Sequence, residues 1–256
     1  MKRFGLIGHQ IEYSKSPIVH QKIAALRGYH VDYKIVDVKD DQLAFLIQQL
    51  KESTYQGFNV TKPYKTTIMA YLDNLTKAAK EIGAVNTVYM KDGIMFGDNT
   101  DIDGFSKALQ LHNIDVSHKS VVLLGSGGAA RACMMVLKQH DAHIQVLSKT
   151  PRYDDLLGNI ESYKNLSLDA DVYINATAIG YNPFQDLNHR FNEQQICLDI
   201  NYSPIITPVM KHFSQSYNGM TMLISQAIKS QSLWYEQTIH LQDEDILKIK
   251  EALSYE

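Results

Sequence analysis

The stretch Ser120 to Arg131, SVVLLGSGGAAR, constrains the fold more than any other part of the chain. Val121 to Leu124 form a short apolar run of the kind that makes a buried strand. Gly125, Gly127, Gly128 and the small Ala129 and Ala130 follow at once, and then Ala132 to Leu137 reads as a helix. Strand, glycine turn and helix is the context that makes a GxGxxG/A pattern a dinucleotide-site hypothesis. Gly125 permits the tight turn, Gly127 lets backbone approach a pyrophosphate, and Ala130 allows close helix–strand packing. The N–H groups at the start of that helix suit phosphate oxygens. A glycine turn in some other α/β protein is the alternative reading of the same residues.

The chain as a whole reads as an ordinary globular protein. It has 256 residues, enough for one or two domains. At 45% apolar and 21% charged it is an ordinary globular sequence. A formal net charge of -3 gives no reason to expect nucleic acid or a membrane surface as partner, so anions must be held by local groups. Cys133 and Cys197, the only two cysteines, lie in apolar runs and read as buried thiols of a reducing compartment. No apolar run approaches membrane-spanning length and the start lacks a signal-like segment, so the expected location is the cytoplasm.

In the first third, Phe4–Gly8, Val31–Val38 and Gly57–Thr61 read as strands, with helices over 18–26 and 43–50. This βαβαβ order favours a parallel sheet. Ser16 before Pro17 reads as a helix cap, whereas Ser14 has no such structural duty. Pro63 ends the third strand and Lys65 is expected to open a helix. A cation there is either solvated or placed to meet an anion or donate a proton. Lys62 is an equal rival on position alone. Asn86 is expected inside a strand, where its type is disfavoured and implies a specific partner. Asp92-Gly93 marks a hairpin, and Thr100-Asp101 leads into a helix to about His112. His9, His20 and His112 read as surface or helix polar residues, and no metal-ligand spacing is present.

In the second half, His143–Leu147 reads as the second strand of the nucleotide domain. NAD sites place an acid about 20 residues after the glycines. Here the strand ends Ser148-Lys149-Thr150-Pro151-Arg152, with no acid. Lys149 and Arg152 suit a 2′-phosphate, which favours NADP; a solvated basic turn is the alternative reading of the same residues. Asp171–Ile174 and Cys197–Ile200 read as strands and Thr207-Pro208 opens a short helix to about Gln215. A long helix over 222–239 and a final helix over 243–253, capped by Asp243, close the chain.

Taken in order, Ser14-Lys-Ser16-Pro17, Gly57-Phe-Asn59-Val-Thr61-Lys-Pro63-Tyr-Lys65, Gly83-Ala-Val-Asn86-Thr87, Asn99-Thr100-Asp101, Gly125-Ser-Gly127-Gly128-Ala, Tyr202-Ser-Pro204 and Gly219-Met-Thr-Met222-Leu-Ile-Ser-Gln226 resemble shikimate dehydrogenases. The resemblance implies NADPH-dependent reduction of 3-dehydroshikimate to shikimate, on the route to chorismate and aromatic amino acids. It implies two α/β domains with the active site in the cleft between them. The substrate and catalytic domain would be 1–101 with 219–256, and the Rossmann-type dinucleotide domain 102–218. Lys65 and Asp101 would form the catalytic pair, which selects Lys65 over Lys62. Ser14, Ser16, Thr61, Asn86, Tyr202 and Gln226 would bind the substrate. Gly125, Ser126, Gly127, Gly128, Ala129, Ser148, Lys149, Thr150, Arg152, Thr177 and Gly219 would bind NADP. A small-molecule substrate and a monomeric or homodimeric state are implied.

The chain departs from the pattern at four places. Lys149 stands where the family has arginine and lacks its planar fork, so NADP preference is expected to be weaker. Ala178 and Tyr181 replace a common serine and methionine, and the Ala178 loop is expected near the cofactor. Ile102 replaces a glycine after Asp101, excluding a positive φ there. Two rival functions remain, a quinate-type paralogue and a non-catalytic sensor.

Overall fold

The computed structural model describes residues 2–39, 42–52, 54–187 and 189–254. The chain folds into two compact units, Met1–Thr100 with Leu223–Glu256, and Asp101–Met222. The divisions therefore fall directly before Asp101 and after Met222.

The first unit is built on a six-stranded mixed sheet. Its strands are β1 (Arg3–Gly8), β2 (Asp32–Asp37), β3 (Gly57–Val60), β4 (Asn74–Leu75), β5 (Thr87–Lys91) and β6 (Ile94–Asp98), in the order β2-β1-β3-β5-β6-β4. β1 runs parallel to both β2 and β3, as the alternation of strand and helix requires. β5 then pairs antiparallel with β3 and with β6. The hairpin between β5 and β6 turns on Asp92 and Gly93, both at positive φ, the conformation this dipeptide favours. Helices α1 (Ser16–Leu26) and α2 (Leu43–Lys51) cross between the parallel strands. α2 packs Leu43, Leu46, Ile47 and Leu50 with Phe58 and Val60 of β3. A short helix α3 (Lys77–Ile82) is capped by the Thr76 hydroxyl on the Ala79 amide and stopped by Gly83 at φ 71.

Several local expectations for this unit are corrected. α1 starts at Ser16 itself, with Lys15 at the cap position and no capping side chain. Lys65 lies in a turn, and a 3-10 helix starts later, over Thr67–Tyr71. Asn86 sits in a bend before β5, not in its interior. His20 is fully buried and stacks on Tyr33 at 4.1 Å between ring centroids. Burial holds its pKa down at about 3, so it is a neutral core residue.

The second unit is a seven-stranded sheet. Its strands are β7 (Ser120–Leu124), β8 (His143–Ser148), β9 (Arg152–Asp154), β10 (Gly158–Ser162), β11 (Val172–Asn175), β12 (Ile196–Asp199) and β13 (Gln215–Asn218), in the order β13-β12-β11-β7-β8-β10-β9. All neighbours are parallel except β9 with β10. β7 and β11 lie centrally and are apolar nearly throughout, which is how a strand covered on both faces reads. Helices α4 (Asp101–Leu111) and α5 (Gly128–Gln139) cover one face through Phe105, Ala108, Cys133 and Leu137. Ile102 is helical and packs on that cluster. β9, β10 and β13 were not expected from the sequence. Where a helix from Thr207 to Gln215 was expected, a 3-10 turn over Met210–His212 is followed by strand β13.

Helix α6 (Met220–Trp234) carries the chain back to the first unit, and α7 (Asp243–Ser254) follows. Asp243 is the first helical residue of α7, not its cap. Trp234 stacks on Phe4 at 4.4 Å and donates its indole N–H to the Val88 carbonyl at 3.0 Å. It occupies the space where a Cβ on Gly57 would lie. No described helix is long and apolar enough to cross a membrane.

Candidate dinucleotide and substrate sites

In the second unit, the C-terminal ends of β7, β8 and β11 open into a pocket of about 320 Å³. Ligand sites in open parallel sheets form at such strand ends. Gly125, Ser126 and Gly127 line it from β7, and Ser148, Lys149, Thr150 and Arg152 from β8 and β9. Ala176, Thr177, Ala178 and Tyr181 line it from the loop after β11, and Tyr163 completes it.

The glycines are there for different reasons. Gly125 has φ +109, and a Cβ on it would meet the Ala176 carbonyl oxygen at 2.5 Å. A side chain is therefore excluded on both strain and contact grounds. Gly127 is the opposite case, because a Cβ on it would meet nothing within 4 Å. It caps α5 with no capping side chain, so the helix start faces open space beside the pocket. That cradle fits a pyrophosphate held by backbone N–H groups. Gly128 and Ala129 are the first residues of α5 and do not line the pocket. Gly219 does not line it either; a Cβ there would run into the Ile200 carbonyl, so its constraint is close backbone approach.

Ser148 closes the Lys149 turn by accepting from the Thr150 amide and donating to the Thr150 carbonyl. Arg131 fixes the far end of this segment, donating from Nη1 to both carboxylate oxygens of Asp154 at 2.7 Å. The carboxylate also accepts the Leu156 and Leu157 amides. Lys149 and Arg152 are thereby held at the pocket with no carboxylate among its described lining residues. The Lys149 ammonium stands 3.8 Å from the centre of the Tyr181 ring.

The loops around the strand ends are tied by Asp199, which is fully buried at the end of β12. It accepts from the Asn175 side chain at 2.8 Å, the Thr207 hydroxyl at 2.6 Å, and the amide and side chain of Asn201 at 2.9 Å. Asn175 in turn accepts from the Thr177 amide and hydroxyl. Sequence reasoning missed Asp199. A polar residue ending an apolar strand was the available signal, but nothing in its neighbours names its partners. Tyr202 follows Asn201 in this tied segment, half-buried.

In the first unit, the serines predicted to meet a substrate lie together. Ser14 donates to the Ser16 hydroxyl at 3.1 Å and receives the Ser16 amide at 3.3 Å. Ser16 has no cap role, and its buried hydroxyl is placed by this pair.

A second cluster joins Asn86 and Gln226. The Asn86 carbonyl oxygen accepts from the Thr100 amide at 2.8 Å and from the hydroxyls of Thr87 and Thr100. The Thr100 hydroxyl also reaches the Gln226 oxygen at 3.4 Å, and the Gln226 amide donates to the Leu223 carbonyl. Ser230 and Asn59 complete the network, with Asn59 bonded to the hydroxyls of Tyr33, Thr87 and Ser230. With the Asn86 oxygen taken up by Thr87 and Thr100 and one Gln226 N–H donated to Leu223, the contacts fix how both side-chain amides are turned. Lys65 is half-buried in the turn after β3, its carbonyl accepting the Val85 amide at 2.8 Å. Thr61 closes the same turn by accepting the Tyr64 amide. Lys62 is exposed and sits 5.5 Å from the Tyr13 ring. Asp101 belongs to the second unit, buried as the first residue of α4.

Comparison with known proteins finds relatives along nearly the whole chain. Residues 6–88 match the shikimate dehydrogenase substrate binding domain. A shikimate dehydrogenase (NADP(+)) of Clostridium botulinum strain Loch Maree is 34% identical over 245 residues, covering 90% of this chain and 95% of that protein. The crystal structure of shikimate dehydrogenase 1 from Peptoclostridium difficile superposes with a TM-score of 0.85 at 30% identity, over 99% of this chain and 98% of that one. The Thermus thermophilus enzyme, solved with NADP(H) and shikimate, gives a TM-score of 0.84 at 25% identity, over 98% and 99% of the two chains.

Proposed function

The chain belongs to the shikimate dehydrogenase family, and from that premise we propose which of its residues carry the reversible NADPH-dependent reduction of 3-dehydroshikimate to shikimate. It is an NADP-dependent oxidoreductase of the route to chorismate and aromatic amino acids. The observation that carries the reading is identity across nearly the whole chain, which brings the substrate motifs and the glycine pocket together in one polypeptide.

NADP, when bound, supplies or takes up the hydride. Gly125, Ser126, Gly127 and the start of α5 would hold its pyrophosphate, and Thr177 with Ser148 and Thr150 would line its sugar. Lys149 and Arg152 would meet the 2′-phosphate. The paired hydroxyls of Ser14 and Ser16, with Tyr202, would bind the ring carboxylate. Asn86 and Gln226 would bind ring hydroxyls, their orientation fixed by the Thr100 network, and Thr61 would line the substrate from the turn after β3. Such a site rejects ring acids that lack a hydroxyl, because its own polar groups would be left unpaired.

Lys65 and Asp101 act on the reacting oxygen. As the carbonyl carbon gains a hydride, negative charge develops on oxygen. The Lys65 ammonium stabilises that charge and gives up its proton to form the hydroxyl. Asp101 orients the amine, and in the oxidative direction the neutral amine takes the hydroxyl proton back. The two cysteines, both free and buried, support a reducing, cytoplasmic setting.

The test is the absorbance of NADPH formed from shikimate and NADP, repeated with NAD and with quinate. Shikimate with NADP is expected to be the fastest pairing. Comparable quinate turnover would assign the chain to a quinate-using paralogue, and binding without turnover would make it a sensor.

A further inference from the structure

We propose that Tyr181 is a positioning residue for cofactor choice, its ring holding the Lys149 ammonium at the pocket so that the chain distinguishes a 2′-phosphorylated adenosine from the unphosphorylated form. The inference rests on the reading above that Lys149 meets the 2′-phosphate, and it explains how a lysine can serve there.

The physical difficulty is the flexibility of lysine. Arginine presents a planar fork already shaped for phosphate, whereas lysine is a point charge on a stem that loses much freedom when held. An exposed lysine is therefore a poor discriminator unless something else confines it. Here the confinement is visible. The Lys149 Nζ is 3.8 Å from the Tyr181 ring centre, within the range in which the ring face attracts an ammonium. Both residues line the same pocket. The ring is itself supported: Tyr163, also in the lining, lies against it at 5.5 Å between centroids. The Ala178 carbonyl receives the Tyr181 amide at 3.1 Å, closing the turn that carries the ring. Thus the loop that carries Thr177 into the pocket also fixes the tyrosine.

The ring engages one side of the ammonium and leaves its remaining N–H donors for a ligand. Burial raises the Tyr181 phenol above its ordinary range and holds that of Tyr163 at about 12. Both rings are neutral at neutral pH, so neither competes as an anion for the lysine. Arg152, the other cation of the pocket, is directed by a weak contact to the Thr150 carbonyl at 3.3 Å.

The experiment is calorimetric binding of 2′,5′-ADP and of 5′-AMP to the full chain, with Tyr181→Leu, Tyr181→Phe, Lys149→Met and the Tyr181→Leu/Lys149→Met double variant. Tyr181→Leu is expected to lower the 2′,5′-ADP to 5′-AMP affinity ratio roughly fivefold, the strength of one exposed cation–ring contact. Tyr181→Phe keeps the ring and should stay within about twofold of wild type on the same grounds. In the Lys149→Met background, removing the ring should change the ratio no further. If Lys149→Met lowers the ratio but Tyr181→Leu does not, the positioning role is overturned while the 2′-phosphate reading stands. If Lys149→Met leaves the ratio unchanged, both fall. A Tyr181→Leu effect that persists undiminished in the double variant would show that the tyrosine acts on the ligand without the lysine, and also overturns the proposal.

Discussion

Replacing Lys65 with alanine is expected to lower kcat for shikimate oxidation by roughly 10²–10⁴-fold, the usual contribution of a positioned proton-transfer group. The loss should fall on kcat, because carboxylate and hydroxyl binding is assigned to other residues, namely Ser14, Ser16, Asn86 and Gln226. KM for shikimate should change little by comparison, the signature of an interaction made chiefly in the transition state. Lys62 provides the internal control. It stands three residues earlier on the same turn, exposed against Tyr13, with the same charge. Lys62→Ala should leave kcat within about threefold of wild type, since its charge is exposed and the high dielectric of water weakens its field. If the two alanine variants lose turnover equally, the choice of Lys65 is wrong.

Gly219→Ala is expected to destabilise the fold by about 3 kcal/mol or more, because overpacking against backbone has no side chain to move aside. Gly219 joins β13 to α6, and its amide donates to the Asn201 carbonyl at 2.9 Å. A Cβ there would overlap the oxygen and carbon of the Ile200 carbonyl. Withdrawing Ile200 would break its amide bond to the Asn175 carbonyl, made at 3.0 Å. At roughly 2–4 °C per kcal/mol, Tm should fall by on the order of 6–12 °C. Gly127→Ala is the contrasting case. Its Cβ would project into open space, so Tm should hold while NADP affinity falls, the methyl occupying the cradle where phosphate approaches. An unchanged Tm for Gly219→Ala would show that this junction has slack the geometry denies.

The difference between these two glycines marks what could be read from the chain and what could not. The strand–glycine–helix at Ser120–Gln139 was legible because its signal is local: apolar run, turn residues and helix formers stand side by side. The same is true of the Asp92-Gly93 hairpin. Gly219 was assigned to the cofactor by resemblance, but its fixed feature is a backbone contact with Ile200, which no local pattern displays. β13 escaped notice because Gln215-Ser-Tyr-Asn218 is polar; it is a strand through pairing with β12 at the sheet edge, not through propensity.

Side-chain partnerships across long stretches of sequence were equally hidden. His20 looks like a helix surface residue, yet it is buried against Tyr33 and receives the Gln231 side chain on its carbonyl. Asn86 was singled out for the wrong strand position but the right physical reason. It needed a partner, and Thr100 supplies it through both amide and hydroxyl. The lack of an acid after β8 was visible directly, whereas the stacking of Lys149 on Tyr181 was not, because it joins two separate loops.

The central claim is that the Lys65 ammonium delivers the proton that turns the reduced carbonyl into a hydroxyl. Single-turnover stopped flow, with the protein in excess over NADPH and 3-dehydroshikimate saturating, isolates that chemistry from binding and release. Lys65→Ala should slow NADPH disappearance by roughly 10²–10⁴-fold, with shikimate affinity kept within a few-fold of wild type. A single-turnover rate equal to that of the wild-type protein would contradict the account.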